Sequence, residues 1–222
     1  MTGTAIPYGA IVHYGAAEGT LTLKNTELIA PVAGTADEIN SASPSVIGVA
    51  AWAQTGENID EAWKLVVTDC TIRTNGFAVF DRWNNATYTN TTFTGLEGVE
   101  GLDDIEVKTC YMALNNPHAN DVTYDHCTFR NMRSWGMLVA GEELTVTDCT
   151  FDGTNQSCAI SVAYGTIDKC TITGNTFDLS GSGSGIMFSD AVTPLVKITL
   201  SGLFHPNRRQ SRSLVSNTTS AV

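Results

Sequence analysis

Apolar and polar positions alternate over short runs of this chain, and one run keeps returning. It reads "LTLKNTEL" (21–28), "LVVTDCTI" (65–72), "ATYTNTTF" (86–93), "IEVKTCYM" (105–112), "VTYDHCTF" (122–129), "LTVTDCTF" (144–151) and "GTIDKCTI" (165–172). The sixth letter is Thr26, Cys70, Thr91, Cys110, Cys127, Cys149 and Cys170, and from Cys70 onward these anchors are 21, 19, 17, 22 and 21 residues apart. A period of two predicts strands, and a fixed repeat of about 20 residues predicts a stacked array. No stretch of 15 residues carries a helical period.

The columns of this repeat have constant chemistry. Three residues before the anchor stand Leu23, Val67, Tyr88, Val107, Tyr124, Val146 and Ile167; two after it stand Leu28, Ile72, Phe93, Met112, Phe129, Phe151 and Ile172. Strict alternation would put these two apolar columns on opposite faces, so the strand must bend between them. The polar residue before the anchor (Asn25, Asp69, Asn90, Thr109, His126, Asp148, Lys169) is the expected corner, because Asn and Asp tolerate the left-handed backbone of a tight turn. A further strand follows in "GVAAW" (48–52), "GFAVF" (76–80), "GMLVA" (136–140), "CAISV" (158–162) and "GIMF" (185–188). Three short strands per repeat make one coil of a parallel β-solenoid, with like residues stacked over like. Phe151 is expected to stack between Phe129 and Ile172.

Composition sharpens this picture. Hydrophobic residues make up 42% and charged residues 16% of 222, the rest being dominated by Gly, Thr, Ser and Asn, which suits a turn-rich all-β chain. A net charge of −11 argues against nucleic acid or an anionic membrane as partner, and no apolar run is long enough to insert into a bilayer. The start "MTGTAIPYGAIVHYG" lacks the basic and apolar regions of a secretory signal, and the expected setting is extracellular or cell-surface, as part of a longer protein. Residues 1–17 read as a lead-in or cap remnant, 18–202 as the solenoid of about seven to nine coils, and 203–222 as a disordered tail.

The anchor cysteines could be thiols packed in the core, halves of disulfides, or metal ligands. Thr and Cys interchange in one column, which favours packing; only Cys158 lies off that column, and no Cys-x-x-Cys pair occurs. The recurring "V-x-(D/N/T)-C-(T/Y)-(F/I/M)" phrases and the polar corner column resemble the single-stranded right-handed parallel β-helices of the pectin-lyase-like superfamily, over about residues 18–200. Within it, the dense repeats look most like the β-helix regions of bacterial surface proteins. The resemblance implies a fold more than a function, since this fold hosts lyases, hydrolases, phage tailspikes and adhesins. The polygalacturonase-like motifs "NTD", "GHG" and "RIK" are missing; only the pair Asp103-Asp104 remains.

Two stretches could carry chemistry. "EGVEGLDDIE" (97–106) holds five acids, of which Glu100, Asp103 and Asp104 are candidate Ca²⁺ ligands, the one cofactor suggested; a solvated loop is the plainer alternative. "YDHCTFRNMRSW" gathers Asp125, His126, Arg130, Arg133 and Trp135. Arg matches a sugar carboxylate and Trp a sugar face, so Asp125, Arg130, Arg133 and Trp135 are candidate carbohydrate contacts. Lys108, Arg130, Arg133 and Asp125 are the candidates for catalysis, with Asp125 expected to pair with Lys108 one coil away. The Thr column at 71, 92, 128, 150 and 171 invites an ice-binding reading, against which Thr is simply a good exposed strand residue. The favoured function is a non-catalytic, adhesin-like module binding a carbohydrate or host-surface ligand. The alternatives are a lyase or glycosidase acting on acidic glycans, and a phage tail-fibre module.

Overall fold

The structure, a computed structural model, describes residues 11–12, 19–42, 45–48, 63–80, 85–116, 121–139, 143–153, 158–162, 165–166, 169–179, 184–188, 192–193, 197–206 and 215–217. Every strand pairing among them is parallel. Strands are numbered along the chain and fall into three legs. The first leg comprises β2 (Gly19–Lys24), β5 (Trp63–Thr68), β8 (Asn85–Thr89), β11 (Asp121–Asp125) and β14 (Glu143–Thr147). The second comprises β3 (Glu27–Ala30), β6 (Thr71–Thr74), β9 (Thr92–Thr94), β12 (Thr128–Arg130) and β15 (Thr150–Gly153). Two longer strands, β18 (Lys169–Leu179) and β21 (Lys197–Pro206), run through both legs, and β18 joins them into one 12-stranded sheet.

The third leg forms an 8-stranded sheet of β1 (Ile11–Val12), β4 (Ser45–Gly48), β7 (Phe77–Phe80), β10 (Cys110–Asn116), β13 (Met132–Val139), β16 (Cys158–Val162), β19 (Ser184–Phe188) and β22 (Val215–Asn217). A minor pair, β17 (Gly165–Thr166) with β20 (Val192–Thr193), completes the strands. Pairing reaches Pro206 in β21 and recurs in β22, both within the stretch expected to be a tail.

The register explains the column chemistry. Leu23, Val67, Tyr88, Tyr124, Val146 and Ile172 are successive partners, as are Leu28, Ile72, Phe93, Phe129, Phe151 and Phe177. From Val67 and Ile72 onward all of these are buried; Leu23 and Leu28 are half-buried. Parallel stacking puts ring on ring: Tyr88–Tyr124 centroids are 4.8 Å apart, Phe93–Phe129 5.1 Å, Phe129–Phe151 4.6 Å and Phe151–Phe177 4.9 Å. The spacing is that of neighbouring strands, so the coil rise itself imposes the stack.

Between first and second legs the chain turns on one residue with positive φ: Asn25 (50°), Asp69 (53°), Asn90 (49°), His126 (53°), Asp148 (52°) and Gly174 (69°). The amide of each non-glycine corner donates to a carbonyl of the next coil, as Asp69 N does to Thr89 O and Asp148 N to Thr173 O. The anchor after each corner points inward. Thr91, Cys127, Cys149 and Asn175 are buried there, with Cys127 N donating to Cys149 Sγ (3.3 Å) and Cys149 N to Asn175 Oδ1 (2.8 Å).

Two of the seven phrases do not follow this plan. In "GTIDKCTI" Cys170 pairs with Leu144, not with Cys149, so the phrase that stacks on the preceding coil is "CTITGNTF" (170–177). Phe177, not Ile172, therefore covers Phe151. In "IEVKTCYM" Cys110 opens the third-leg strand β10 and pairs with Met132, while β9 pairs directly with β12. Thr109 and Lys169 are accordingly not corners. Residues 95–109 form instead an insertion between β9 and β10, closed by Leu96, whose amide donates to Lys108 O (2.5 Å) and whose side chain is buried.

A second insertion follows β3 and contains the short helix α1 (Ala36–Ala42). Thr35 caps it: Glu38 N donates to Thr35 Oγ1 (3.4 Å) while Thr35 N donates to Glu38 Oε2 (2.7 Å), a reciprocal capping box. All six cysteines are free and buried, Cys110 and Cys170 included, although these two stand off the anchor column.

Candidate functional site

The outward residues of the 12-stranded sheet form straight threonine columns, because register fixes one strand over the next. On the first leg Thr22, Val66, Thr87, Thr123, Thr145 and Thr171 are successive partners, with Thr68, Thr89, Asp125, Thr147 and Thr173 beside them. Across the corner run Thr71, Thr92, Thr128, Thr150 and Thr176. The last column is the one read from the sequence, except that Thr176 stands where Thr171 was expected. None of these side chains is buried.

Within β11 and β12 the charges that break this surface are Asp121, Asp125 and Arg130, with Asp121 in register with Glu143, which is ion-paired to Lys169 on the following coil. Asp125 ends β11 and contacts the next residue, His126, with its Oδ1 2.7 Å from the imidazole Nδ1. Arg130 ends β12, its partners being Thr94 and Asp152, and its Nε lies 3.5 Å from Asp152 Oδ2 on the next coil. Arg133 and Trp135 lie past the Asn131 corner, on β13 in the other sheet, where Trp135 pairs with Met112 and Cys158. Lys108 does not reach Asp125. It lies in the 95–109 insertion with its Nζ 3.6 Å from Asp103 Oδ1. The insertion meets the β12–β13 corner through Asn131 Nδ2, which donates to Glu97 Oε2 (3.3 Å). The sequence candidates thus occupy three places: the first corner, the second corner and the insertion.

The suggested Ca²⁺ ligands Glu100, Asp103 and Asp104 are exposed in that insertion. Among the described residues, the group of three potential metal ligands that converges is Asp125, His126 and Asp148, with one ligand atom of each within 4.8 Å of the others. Nothing in the sequence marks Asp148 as a partner of Asp125 until the stacking of coils is known.

The two insertions face each other across a groove of about 550 Å³, lined by Pro31–Thr35 and Glu38 on one side and Asp104, Ile105 and Glu106 on the other. The buried Asn75 holds the Pro31–Thr35 wall in place, accepting from Val32 N (2.7 Å) and donating to Val32 O (2.8 Å). The groove contributes carboxylates and an apolar wall, and among the described residues no lysine, arginine or histidine lines it. Glu38 is already committed to the capping box, and the Thr35 amide holds its carboxyl below the usual range.

The thiols offer no nucleophile to solvent. Burial pushes Cys110, Cys158 and Cys170 up to about 12, and in the buried Cys127–Cys149 pair their shared hydrogen bond pushes Cys149 up and Cys127 down. No helix among the described residues is long and apolar enough to cross a membrane. The family described as "Right handed beta helix region" matches residues 49–197. No curated protein and no solved structure matches the chain.

Proposed function

The chain belongs to the right-handed β-helix family, and from that premise we propose that it is a non-catalytic, adhesin-like module of a secreted or surface-displayed protein. Its binding face is the outward side of the 12-stranded sheet, with Asp125 and Arg130 as the charged contacts within it. One observation carries this reading: the threonine columns from Thr87 to Thr171 and from Thr71 to Thr176 form unbroken rows of hydroxyls whose spacing is set by strand pairing. Rigid, pre-ordered hydroxyls can donate and accept towards a carbohydrate or a host-surface glycoconjugate without ordering cost at the moment of binding. Support also comes from Lys108 and Arg130, two of the three bases that elimination chemistry could draw on, which stand in ion pairs with Asp103 and Asp152.

The test is a glycan array, run beside a cleavage assay on uronic-acid polymers with Ca²⁺ and with chelator. Wild type should bind a defined set of glycans and cleave none. Thr145→Lys/Thr171→Lys, which crowds the centre of the face with charge, should abolish binding and leave the melting temperature within a few degrees. Polymer cleavage would overturn the reading in favour of a lyase or hydrolase, for which the groove carrying Asp104 and Glu106 is the structural argument.

A further inference from the structure

We propose that Asp125, His126 and Asp148 bind one divalent transition-metal ion of the zinc class, clasping two successive coils together. The site lies at the corner edge of the hydroxyl face and shares Asp125 with it, but its test uses metal alone and does not depend on what that face binds.

Its origin lies in the corner column. One level below, the column satisfies itself: Asn90 Nδ2 donates to Asp69 Oδ1 at 2.7 Å, amide to carboxylate. At the next level the amide is replaced by the imidazole of His126, flanked by Asp125 from the same coil and Asp148 from the coil above. Two carboxylates and one imidazole then converge within 4.8 Å. Two carboxylates at that separation repel each other and call for a positive partner, which a metal ion can supply.

Backbone geometry favours the arrangement. His126 is held outward by its left-handed conformation, with φ at 53°, and its side chain is 63% exposed, so an ion can enter from solvent. Above Asp148 the column ends in Gly174, where a Cβ would lie 2.0 Å from Asp148 Oδ1; the missing side chain is what gives that carboxylate its place. The donor set chooses the ion. Imidazole nitrogen with two carboxylate oxygens suits zinc-class ions, whereas Ca²⁺ takes roughly 6–8 oxygens. Bonds of about 2.0–2.2 Å require the three ligands to draw in from their present separation, which exposed side chains can do. Because Asp125 ends β11 and His126 follows it, while Asp148 lies between β14 and β15, the ion would bridge coils.

The experiment uses the full chain freed of any polyhistidine tag and stripped of metal, titrated with Zn²⁺ alone and with Ca²⁺ alone. Calorimetry and thermal melting are the readouts. The six buried thiols keep cysteine from competing in the native state. Wild type should bind one Zn²⁺ and melt at higher temperature with it. His126→Asn, which puts into the corner the residue that Asn90 provides below, should fold and weaken Zn²⁺ binding at least about tenfold, as should Asp148→Asn. Asp103→Asn, in the insertion, should bind as wild type. Equal Zn²⁺ binding by His126→Asn, a response to Ca²⁺ alone, or no Zn²⁺ binding by wild type would each overturn the site.

Discussion

The coils built on Cys70, Thr91, Cys127 and Cys149 and the two misaligned phrases around Cys110 and Cys170 differ in one residue. In the first group the residue before the anchor is Asp69, Asn90, His126 or Asp148, and each adopts a φ near +50°. In the second it is Thr109 or Lys169, and both lie outside the corner column. The coil over Cys149 passes over its cysteine and turns at Gly174, which leaves Asn175 as anchor and brings Phe177 onto Phe151. Register in this solenoid is therefore pinned by the residue that can turn left-handed and by the aromatic two positions after the anchor. The cysteine follows; it fills whatever inward position the turn assigns to it.

The largest effect that would break this comparison is a response to alkali. If the misaligned cysteines were displaced from the core, their thiols would ionise like those of an unfolded chain. Instead burial pushes Cys110 and Cys170, with Cys158, from 9.0 up to about 12. Between these values the unfolded chain has lost protons that the native chain retains, so stability is whole below about pH 9 and falls as pH rises towards 12. Denaturant unfolding at a series of pH values should show that decline. The double variant Cys110→Ala/Cys170→Ala should be less stable at neutral pH but show a shallower decline; an unchanged slope would place both thiols outside the core.

Next in size is the aromatic stack that replaces the expected contact with Ile172. Phe151 lies nearly parallel to both neighbours, 4.6 Å from Phe129 and 4.9 Å from Phe177. Phe151→Ala should cost about 3–5 kcal/mol, as burial is lost and a coil held on both sides cannot collapse into the cavity. A double-mutant cycle with Phe177→Ala should give a coupling of about 0.5–1.5 kcal/mol. The same cycle with Ile172→Ala should give less. The reverse ranking would restore the "GTIDKCTI" register.

The sequence made the solenoid readable because its signals are local and repeated. The inward columns at Val67, Tyr88, Tyr124 and Val146, the corner at Asp69, Asn90, His126 and Asp148, and the third-leg strands β7, β16 and β19 all follow from spacing and residue type. The two register failures, at Cys110 and Cys170, share one cause. A cysteine is a small apolar filler acceptable at many inward positions, so as a landmark it is ambiguous by several residues. "TGNTF" (173–177) carries the better signal, a left-handed turn residue followed by an inward Phe, but Asn175 departs from the Thr/Cys chemistry of the anchor column. The helix α1 escaped because seven residues give too little periodicity, although its Thr35/Glu38 capping box was visible. Pairings across coils, such as Arg130 with Asp152 or Asp125 with Asp148, need the register first, which is why Lys108 was assigned the wrong partner.

The smallest expected effect addresses the corner itself. Gly174 has φ at +69°, and a Cβ there would lie 2.0 Å from Asp148 Oδ1. Gly98, in the insertion, has φ at +74° with no atom within 4 Å of such a Cβ. Placing Ala in a left-handed conformation costs about 1–2 kcal/mol by itself, so Gly98→Ala should lose about that amount. Gly174→Ala should lose more, because Asp148 must also swing its carboxylate aside, and the excess measures crowding in the corner column. Gly174→Asn meets the same carboxylate but adopts the left-handed backbone more readily, so it should be less harmful than Ala. Denaturant midpoints of the three variants at constant slope would give the ranking. If Gly174→Ala proved no worse than Gly98→Ala, Asp148 would not occupy the space above the turn. If it were neutral, the turn would not lie at residue 174, and the coil over Cys149 would have to be rebuilt around Cys170.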